Sequence, residues 1–587
     1  MEMSLTNINI KQMKKIFILI IPIVIIFFTG CKKDPLDITP DGRVTLKDVF
    51  ADNVQTGAYL NSCYSYIPPY GMSKYFFGLL AGYSDEAHDN DDPTENLGAT
   101  DWYHGGLTPS HDPFSDWGGQ GYAYDYQEWK GIYKTNTFLA NIDNAAESST
   151  SDKARWKAEA KILRAYYYWE LIKMYGGMPI VDKPFTLTFD YSTLKRSPFD
   201  SCVQFILKDC ADAIAEPQMP WRITTGEADR GRMTKAVAYA IESEATLFNA
   251  SPLWNPGNDV TKWQQAADVS KAALAAFLSN GYALFPDYEN YFISTPDVGP
   301  NPSDKETIFA KNATVGFDGS GSGMSYLNGA LHAYKAGSSP SEEMVDAYNM
   351  KNGQMAVTGY SDAAHLQPII NTLSGYNDQD PYTNRDPRFY ASIIYNGTSY
   401  PFANRNIETF VNGKDGIRQD DRAYTHNGYY MRKFMDLTLG PNQGSGARWK
   451  VYRLAEIYLN LAEAENEANG PDQVAYDAVN AIRKRVGMPD LPNGLSKDDF
   501  RARVHNERRV ELAFEEKRFW DVRRWKILDQ TDKTTTGMEW IKSGGGSLSN
   551  IRITVDNRQA WDTKFLVFPI PLTEISDLPA FSQNPGW

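Results

Sequence analysis

The chain has 587 residues and a formal net charge of −14 at pH 7. Its length allows a large core, and an acidic chain lacks the clustered Lys and Arg typical of nucleic-acid binding. Its 35 Tyr and 14 Trp are compatible both with ring surfaces that stack on sugars and with ordinary packing, so composition alone leaves these two interpretations open.

The N-terminal segment is typical of an export signal. Two lysines, Lys14 and Lys15, precede an apolar run at 16–28, and Thr29-Gly30 precede Cys31. The run is shorter than the roughly 20 residues of a membrane span. Small residues directly before a cysteine resemble a bacterial lipobox, which predicts a signal peptide at 1–30, lipidation at Cys31 and a tether at 31–46. An ordinary signal peptide is the alternative, and translation could start at Met1 or at Met13.

The following sequence predicts a mainly α protein with long irregular loops and a few short strands. The helices are predicted from apolar periodicity and capping residues. Ser151, Thr234, the Thr261/Gln264 pair and Ser496 are read as N-terminal caps, and the helix that starts at Ser496 is expected to reach about Trp525. The predicted helical ranges are 46–66, 128–146, 151–175, 235–250, 261–278, 454–469, 474–486 and 496–525.

Neighbouring helices joined by short turns, with Ala at tight positions, suggest tetratricopeptide-like hairpins that stack into a scaffold. An irregular all-helical domain would give a similar pattern. Two stretches interrupt the helices: 67–127 is rich in Gly, Asp and aromatic residues, and 282–450 mixes strand-like runs with Gly- and Ser-rich loops. A third loop-rich stretch is expected at 531–563. Long irregular stretches in a compact domain are usually functional.

Cysteine usage and the charged residues near the C-terminus favour structural interpretations. With Cys31 lipidated, Cys63, Cys202 and Cys210 remain, which predicts neither a disulfide framework nor a zinc site. Residues 507–521 carry Glu and Arg at three- and four-residue spacings, which favours ion pairs within one helix. Glycoside hydrolysis requires two carboxyl groups facing each other across a cleft, so we expect this block to be structural.

Four sequence blocks, taken in order behind the lipobox, resemble the SusD/RagB family of outer-membrane nutrient-binding lipoproteins, named after the starch-utilisation system. The blocks are 158–181; 340–353 followed by 384–389; 453–464 followed by 507–519; and the ending Phe568-Pro569-Ile570-Pro571 with Gln583-Asn584-Pro585-Gly586-Trp587. The resemblance covers nearly all of the predicted mature chain.

The resemblance implies a tetratricopeptide-like fold with a loop-rich ligand face. It implies an N-terminal region at 47–330 and a C-terminal region at 331–587, both within one compact unit. It also implies a non-catalytic protein, lipid-anchored at the outer membrane and exposed at the surface, that captures an oligosaccharide for a SusC-like TonB-dependent transporter. A surface glycoside hydrolase, a purely structural surface protein and a binder of another nutrient such as peptide are the alternatives.

The candidate ligand contacts lie in the two irregular stretches, where the family places ligand aromatics in loops. Rings can stack on pyranose faces, and amide or carboxylate groups can hydrogen-bond neighbouring hydroxyls. The principal candidates are Trp102, Tyr103, Trp117, Tyr326 and Asn328, with Tyr122, Tyr124, His332 and Tyr334 in the same stretches. The alternative for each ring is that it packs against its own loop.

No catalytic residue and no cofactor are predicted. Asp85, Asp89 and Asp91 are weak calcium candidates, but their loop lacks the spacing and central Gly of an EF-hand, which favours a solvated acidic loop instead. His104 and His111 lie seven residues apart in a loop, which does not match a zinc spacing.

Overall fold

The structure is a computed structural model that describes residues 45–67, 79–90, 97–113, 124–145, 147–224, 226, 229–294, 301–314, 336–440 and 447–587. Helices dominate this part of the chain. They are α1 Leu46–Ala51, α2 Asn53–Cys63, α3 Leu97–Tyr103, α4 Tyr124–Asn141, α5 Thr150–Tyr175, α6 Phe199–Ile214, α7 Lys235–Ala250, α8 Val260–Ser279, α9 Tyr288–Ile293, α10 Glu342–Ala347, α11 Pro387–Ser392, α12 Leu454–Asn469, α13 Gln473–Arg485, α14 Lys497–Glu511, α15 Arg518–Arg524, α16 Leu528–Thr531 and α17 Leu572–Asp577.

Long helices pack side by side in chain order, which confirms the prediction of tetratricopeptide-like pairs. Each helix from α4 to α8 contacts the next one in the chain. Helix α8 also contacts α12, which in turn contacts α13 and α14. Ala236, Ala240 and Ala245 of α7 are buried, and their small side chains allow neighbouring helices to approach closely. The prediction of a mainly α fold is therefore confirmed.

The strands are short and pair in twos. They are β1 Ala87–Asp89, β2 Thr307–Thr314, β3 Ser338–Pro340, β4 Val357–Tyr360, β5 Pro368–Ile370, β6 Ile393–Ile394, β7 Ser399–Tyr400, β8 Arg405–Asn406, β9 Tyr430–Met431, β10 Arg448–Arg453, β11 Thr534–Lys542 and β12 Leu548–Asn557. Within the described ranges, the antiparallel pairs are β1–β3, β2–β10, β4–β5, β6–β9, β7–β8 and β11–β12.

Several helix ends differ from the predicted ones. The hydroxyl of Ser149, not Ser151, accepts from Asp152 N at the start of α5, and Asp259 replaces the predicted Thr261/Gln264 capping box at α8. Ser496 does cap α14, where its hydroxyl accepts from Asp499 N at 3.1 Å. In each corrected case, a polar side chain earlier in the sequence reaches the free N–H groups of the first turn.

The C-terminal charged block is not one long helix. α14 ends at Glu511, and Phe514 and Glu516 have φ values of 61° and 64° before α15 begins at Arg518. Left-handed backbone at two side-chain-bearing residues is unfavourable. The break turns the acidic side chains toward arginines of other elements, so the expected ion pairs within one helix are mostly replaced by pairs between elements.

This buried charge network links distant parts of the chain. Arg453 contacts Glu511 at 2.7 Å, Glu515 at 2.7 Å and Glu306 at 2.8 Å. All four side chains are at most 5% exposed. The block at 507–521 is therefore structural, as expected.

The stretch at 531–563, expected to be loop-rich, contains the β11–β12 hairpin. Thr534 pairs with Asn557 and Lys542 pairs with Leu548, with one irregularity after Thr535. β-Branched residues supply the strand propensity of Thr534–Lys542.

Cys63, Cys202 and Cys210 are free and fully buried. Burial raises the pKa of the Cys63 thiol to about 12. Stability in this part of the chain therefore comes from packing and polar contacts rather than from disulfides.

Candidate functional site

Parts of the two irregular stretches meet at the β1–β3 strand pair. Ala87 pairs with Pro340, His88 with Ser339 and Asp89 with Ser338. We call residues 79–90 and 336–341 the strand junction. Because β1 belongs to the first irregular stretch and β3 follows the Gly-rich part of the second, the junction fixes both stretches at one place.

Asn90 holds the strand junction together through its side-chain amide. It is fully buried, and its Nδ2 donates to Gly337 O at 2.7 Å and to Ser339 Oγ. Its Oδ1 accepts from His426 N at 2.9 Å. All of these groups lie away from water, where an unmade hydrogen bond costs about 1–3 kcal/mol, so this side chain specifies how the segments meet.

The acidic run at 84–92 is not a solvated loop over the part that the structure describes, which corrects that expectation. Asp85 is 3% exposed and pairs with Arg518 at 2.8 Å and with Arg509 at 2.9 Å. Arg558 donates to the carbonyl oxygens of Ser84 and Ala87 at 2.6 and 2.8 Å. Arginines from the C-terminal part of the chain therefore compensate for the burial of this acidic segment.

Two adjacent carboxyl groups in this segment have opposite pKa shifts. Burial acts to raise the pKa of Asp85, but the positive charges of Arg509 and Arg518 outweigh it and lower the pKa to about 2. Burial, reinforced by the negative charge of Asp85, raises the pKa of Glu86 to about 8. At neutral pH Asp85 is thus ionised and Glu86 is largely protonated.

Two histidines lie at the strand junction. His88 stacks on Tyr103 with ring centroids 5.1 Å apart, and His426 lies 5.9 Å from His88. Burial lowers the pKa of His426 to about 4, and burial together with the positive charge of Arg558 lowers that of His88. Both rings are therefore neutral at pH 7.

The structure buries Trp102 and Tyr103, the two principal ligand candidates that it describes. Trp102 is 1% exposed and packs against Phe519, Phe565 and Phe568 at centroid distances of 5.7–5.9 Å. The Tyr103 hydroxyl donates to Gly82 O at 2.5 Å and accepts from Asp89 N at 2.9 Å. This corrects the expectation of ligand stacking at these two rings, because packing occupies Trp102 and the hydroxyl of Tyr103 binds backbone within the strand junction.

Of the other candidates, Tyr124 is the first residue of α4. The rest lie outside the described residues: Trp117, Tyr122, Tyr326, Asn328, His332, Tyr334, Asp91 and the lipidation site Cys31. Of the calcium candidates inside them, Asp85 is held by arginines and Asp89 is buried in β1. Across the described ranges, no group of three or more His, Cys, Asp or Glu side chains is arranged to hold a metal ion. His111, one of the two histidines whose spacing matches no zinc site, contacts the Asp101 carboxylate through Nε2.

Sequence reasoning missed the positioning residues of the junction, Asn90, Arg518 and Arg558. One usable signal existed, because the block at 508–524 has six Arg and Lys residues but only four Asp and Glu residues, which leaves cations for acids elsewhere in the chain. Asn90 carries no such signal, since its partner Ser339 is 249 residues away.

A groove lies between α4, α5, the segment at 178–194 and the C-terminal residues 570–581. Its volume is about 330 Å³. Tyr133 and Tyr191, which are 55% and 48% exposed, contribute rings to its wall. Most of its other lining residues are apolar, which suits an apolar surface better than a polyhydroxylated sugar.

Comparison with known proteins identifies the family. Residues 305–587 match the sequence profile of the SusD family, and residues 115–247 match a second profile, described as starch-binding associating with outer membrane. The chain belongs to the SusD/RagB family. It is 24% identical over 466 residues to SusD-like protein P25 of Formosa agariphila, covering 78% of this chain and 77% of the relative.

Solved structures of SusD-like proteins have the same fold. A SusD-like protein from Bacteroides fragilis matches with a TM-score of 0.74 and 26% identity, covering 94% of this chain and 100% of the other. A laminarin binding SusD-like protein matches with a TM-score of 0.56 and 21% identity, covering 91% and 100%. Within the described residues, no helix has the length and apolar character needed to span a membrane.

Proposed function

We propose that this SusD/RagB-family chain is a non-catalytic lipoprotein that binds an oligosaccharide with the irregular stretches held at the strand junction. The observation that carries the proposal is the β1–β3 pairing, which joins two aromatic-rich stretches that are far apart in sequence. A rigid base for recognition loops reduces the entropy lost when a ligand orders them. A SusD-like relative described as laminarin binding supports a glycan as the ligand class.

The remaining ligand candidates are Trp117, Tyr326 and Asn328. A glycan array of the purified mature chain identifies a ligand, and calorimetry then measures its affinity. We expect Trp117→Ala or Tyr326→Ala to weaken binding by roughly tenfold or more, because a ring that anchors a ligand carries a large share of the binding energy.

Tyr133→Ala is the matched control, since Tyr133 is 55% exposed and lies in α4, outside both irregular stretches. It should leave affinity unchanged. Equal affinity in both test variants would remove these two rings from the site, and an array without any glycan hit would remove the proposed ligand class. If the glycan array gives no hit but a separate peptide array does, a peptide nutrient would be favoured.

The absence of catalysis is part of the proposal. The carboxylates of the 507–521 block do not provide an acid and base across a cleft, because Glu511 and Glu515 are bound to buried arginines. Timed chromatography of the bound glycan should show no shorter products. Steady release of shorter sugars that depends on the protein would support a surface hydrolase instead.

The proposed partner is a SusC-like TonB-dependent transporter in the outer membrane, with Cys31 as the lipid anchor. The sequence around Cys31 and the family description as associating with outer membrane support this arrangement. In the native host, Cys31→Ser should abolish incorporation of labelled palmitate and release the protein from the membrane fraction. Copurification of a β-barrel transporter with the wild-type chain tests the partner, and protease added to intact cells tests surface exposure.

A further inference from the structure

The loop formed by residues 418–426 lies directly against the strand junction. His426 N donates to Asn90 Oδ1 at 2.9 Å, and Ala336 N donates to Arg422 O at 2.7 Å. The loop belongs to the second irregular stretch, but none of its residues was a predicted ligand contact. It therefore adds described residues beside the place where the two irregular stretches meet.

Hydrogen bonds within the loop fix its shape. Arg418 N donates to Thr425 O at 3.2 Å, which closes the base of the loop. Tyr424 N donates to Asp421 O at 3.0 Å, and Asp421 Oδ1 accepts from Ala423 N at 3.0 Å, which forms a turn. A loop that is ordered in advance loses less entropy on binding than one that the ligand must order.

The Arg418 guanidinium group lies over an aromatic ring. Its carbon is 3.7 Å from the ring centroid of Tyr424, and stacking on a ring face restricts the orientation of the group. Arg418 is exposed, and its side chain makes no hydrogen bond or ion pair with any residue in the described ranges. Its N–H donors are thus held in place and remain available to a ligand.

Asp420, in the same loop, supplies acceptors. It is exposed, and among the residues that the structure describes its carboxylate has no hydrogen-bond donor and no ion-pair partner, Arg418 included. Its negative charge acts against the lowering of the pKa of His426 by burial, which places the carboxylate near the strand junction. The loop therefore presents donors and acceptors that do not satisfy each other.

This mixture of charges determines which kind of ligand the loop suits. An anionic group on a ligand would be attracted by Arg418 but repelled by Asp420 and Asp421, and a cationic group would meet the reverse. A hydroxyl group can accept from the arginine or donate to a carboxylate without carrying charge. The loop is therefore complementary to a neutral, polyhydroxylated ligand.

We propose that the 418–426 loop contacts the oligosaccharide and favours a neutral sugar over an acidic one. Arg418 donates to one hydroxyl group, Asp420 accepts from another, and Tyr424 positions the guanidinium group of Arg418. This inference rests on the proposed function, because it assigns further contacts to the same ligand and names the class of sugar.

The test begins with an array of neutral gluco-, galacto-, manno- and xylo-oligosaccharides beside galacturonic- and glucuronic-acid oligosaccharides. We expect the mature chain to bind a neutral oligosaccharide most tightly. Calorimetry with that oligosaccharide should show binding weakened by about tenfold or more in Arg418→Gln and several-fold in Asp420→Asn, because each variant loses a hydrogen bond made by a charged group. Asp420→Asn should also reduce the preference for neutral over acidic oligosaccharides, since it removes a charge that repels anions.

Variants of Tyr424 test its positioning role. Tyr424→Phe keeps a ring beneath Arg418 and should bind as the wild type does, whereas Tyr424→Leu should weaken binding about as much as Arg418→Gln. Arg503→Gln is the matched control, because Arg503 of α14 also makes no ion pair within the described ranges and the variant loses the same charge. It should leave affinity unchanged.

The outcomes separate this inference from the proposed function. If the wild type binds a glycan but affinity is unchanged in Arg418→Gln, in Asp420→Asn or in both, the inference is overturned and the proposed function stands. Tightest binding to a uronic-acid oligosaccharide would also overturn it, because the ligand would then be acidic. An array without any glycan hit would overturn both proposals.

Discussion

At the residue scale, Glu86 shows how burial changes the charge of a single side chain. It is 1% exposed, and its carboxyl group lies beside the ionised Asp85. Two adjacent negative charges in a buried environment are unfavourable, so Glu86 retains its proton well above the ordinary value of 4.5. The folded chain therefore binds a proton that the unfolded chain releases.

Stability should consequently fall as the pH rises from about 5 to 8, because the raised folded-state pKa favours the protonated form over this window. Glu86→Gln removes this titration. The free energy of unfolding of the variant, relative to that of the wild type, should therefore be higher at pH 8 than at pH 5 by about 1–3 kcal/mol. Chemical unfolding at both pH values measures the difference. The exposed Glu147→Gln should keep the wild-type pH dependence, and an unchanged dependence in Glu86→Gln would contradict the assignment.

At the element scale, the strand junction relies on polar side chains more than on strand length. β1 and β3 have three residues each, which is too few for a stable isolated pair. Asn90 and Asn427 add side-chain hydrogen bonds to the backbone of the opposite segment. Side-chain hydrogen bonds therefore hold the strand junction together in addition to the short β1–β3 pairing.

Asn90→Ala should destabilise the chain by about 2–3 kcal/mol, because it leaves the buried Ser339 hydroxyl and His426 N–H without their partner, while Gly337 O keeps only the bond from the Asn90 backbone N–H. Thermal unfolding measures the loss, and hydrogen exchange should speed up at 336–341. Asn493→Ala, at an exposed turn, should change stability by less than about 0.5 kcal/mol. A similar effect in both variants would show that the amide of Asn90 is not important to the junction.

The same elements show what sequence reasoning can reach. The start of α14 was predictable because Ser496 and Asp499 form a local capping pattern. The break after Glu511 was not, because it depends on left-handed backbone at Phe514 and Glu516 and on arginines that arrive from other elements. The β1–β3 pair was likewise inaccessible, since three-residue strands carry too little alternation to reveal a distant partner.

The candidate site was predictable only in part for a similar reason. Aromatic content and family resemblance point to the two irregular stretches, but they do not separate exposed rings from buried ones. Trp102 lies seven residues before Pro109 in a loop-rich sequence, yet phenylalanines from 519–568 enclose it. Its burial depends on segments more than 400 residues away, which no local pattern encodes.

At the scale of the whole molecule, Glu511 links distant segments through charge. It is fully buried and contacts Arg388 at 3.0 Å, Arg453 at 2.7 Å and also Arg485. Burial acts to raise its pKa, but these three arginines together lower it well below the ordinary value. The carboxylate neutralises cations that arrive from β10, α11 and α13.

Glu511→Gln leaves these arginines without their shared counter-charge. Breaking a buried ion pair by removing one partner costs about 3–5 kcal/mol, so we expect a fall in stability of at least this order. Calorimetry should show the main transition shifted to lower temperature. The exposed Glu147→Gln is again the control, and a transition unchanged in Glu511→Gln would mean that water reaches these arginines.

The three buried thiols make this chain a convenient host for spectroscopic labels. Cys63, Cys202 and Cys210 are inaccessible, and burial disfavours the thiolate form that reacts with maleimides. A chain produced without Cys31 could therefore receive one new surface cysteine, such as Ser547→Cys in the hairpin turn, while its native thiols stay in place. A fluorophore at that position would test whether the protein moves against the proposed transporter, without a cysteine-free background.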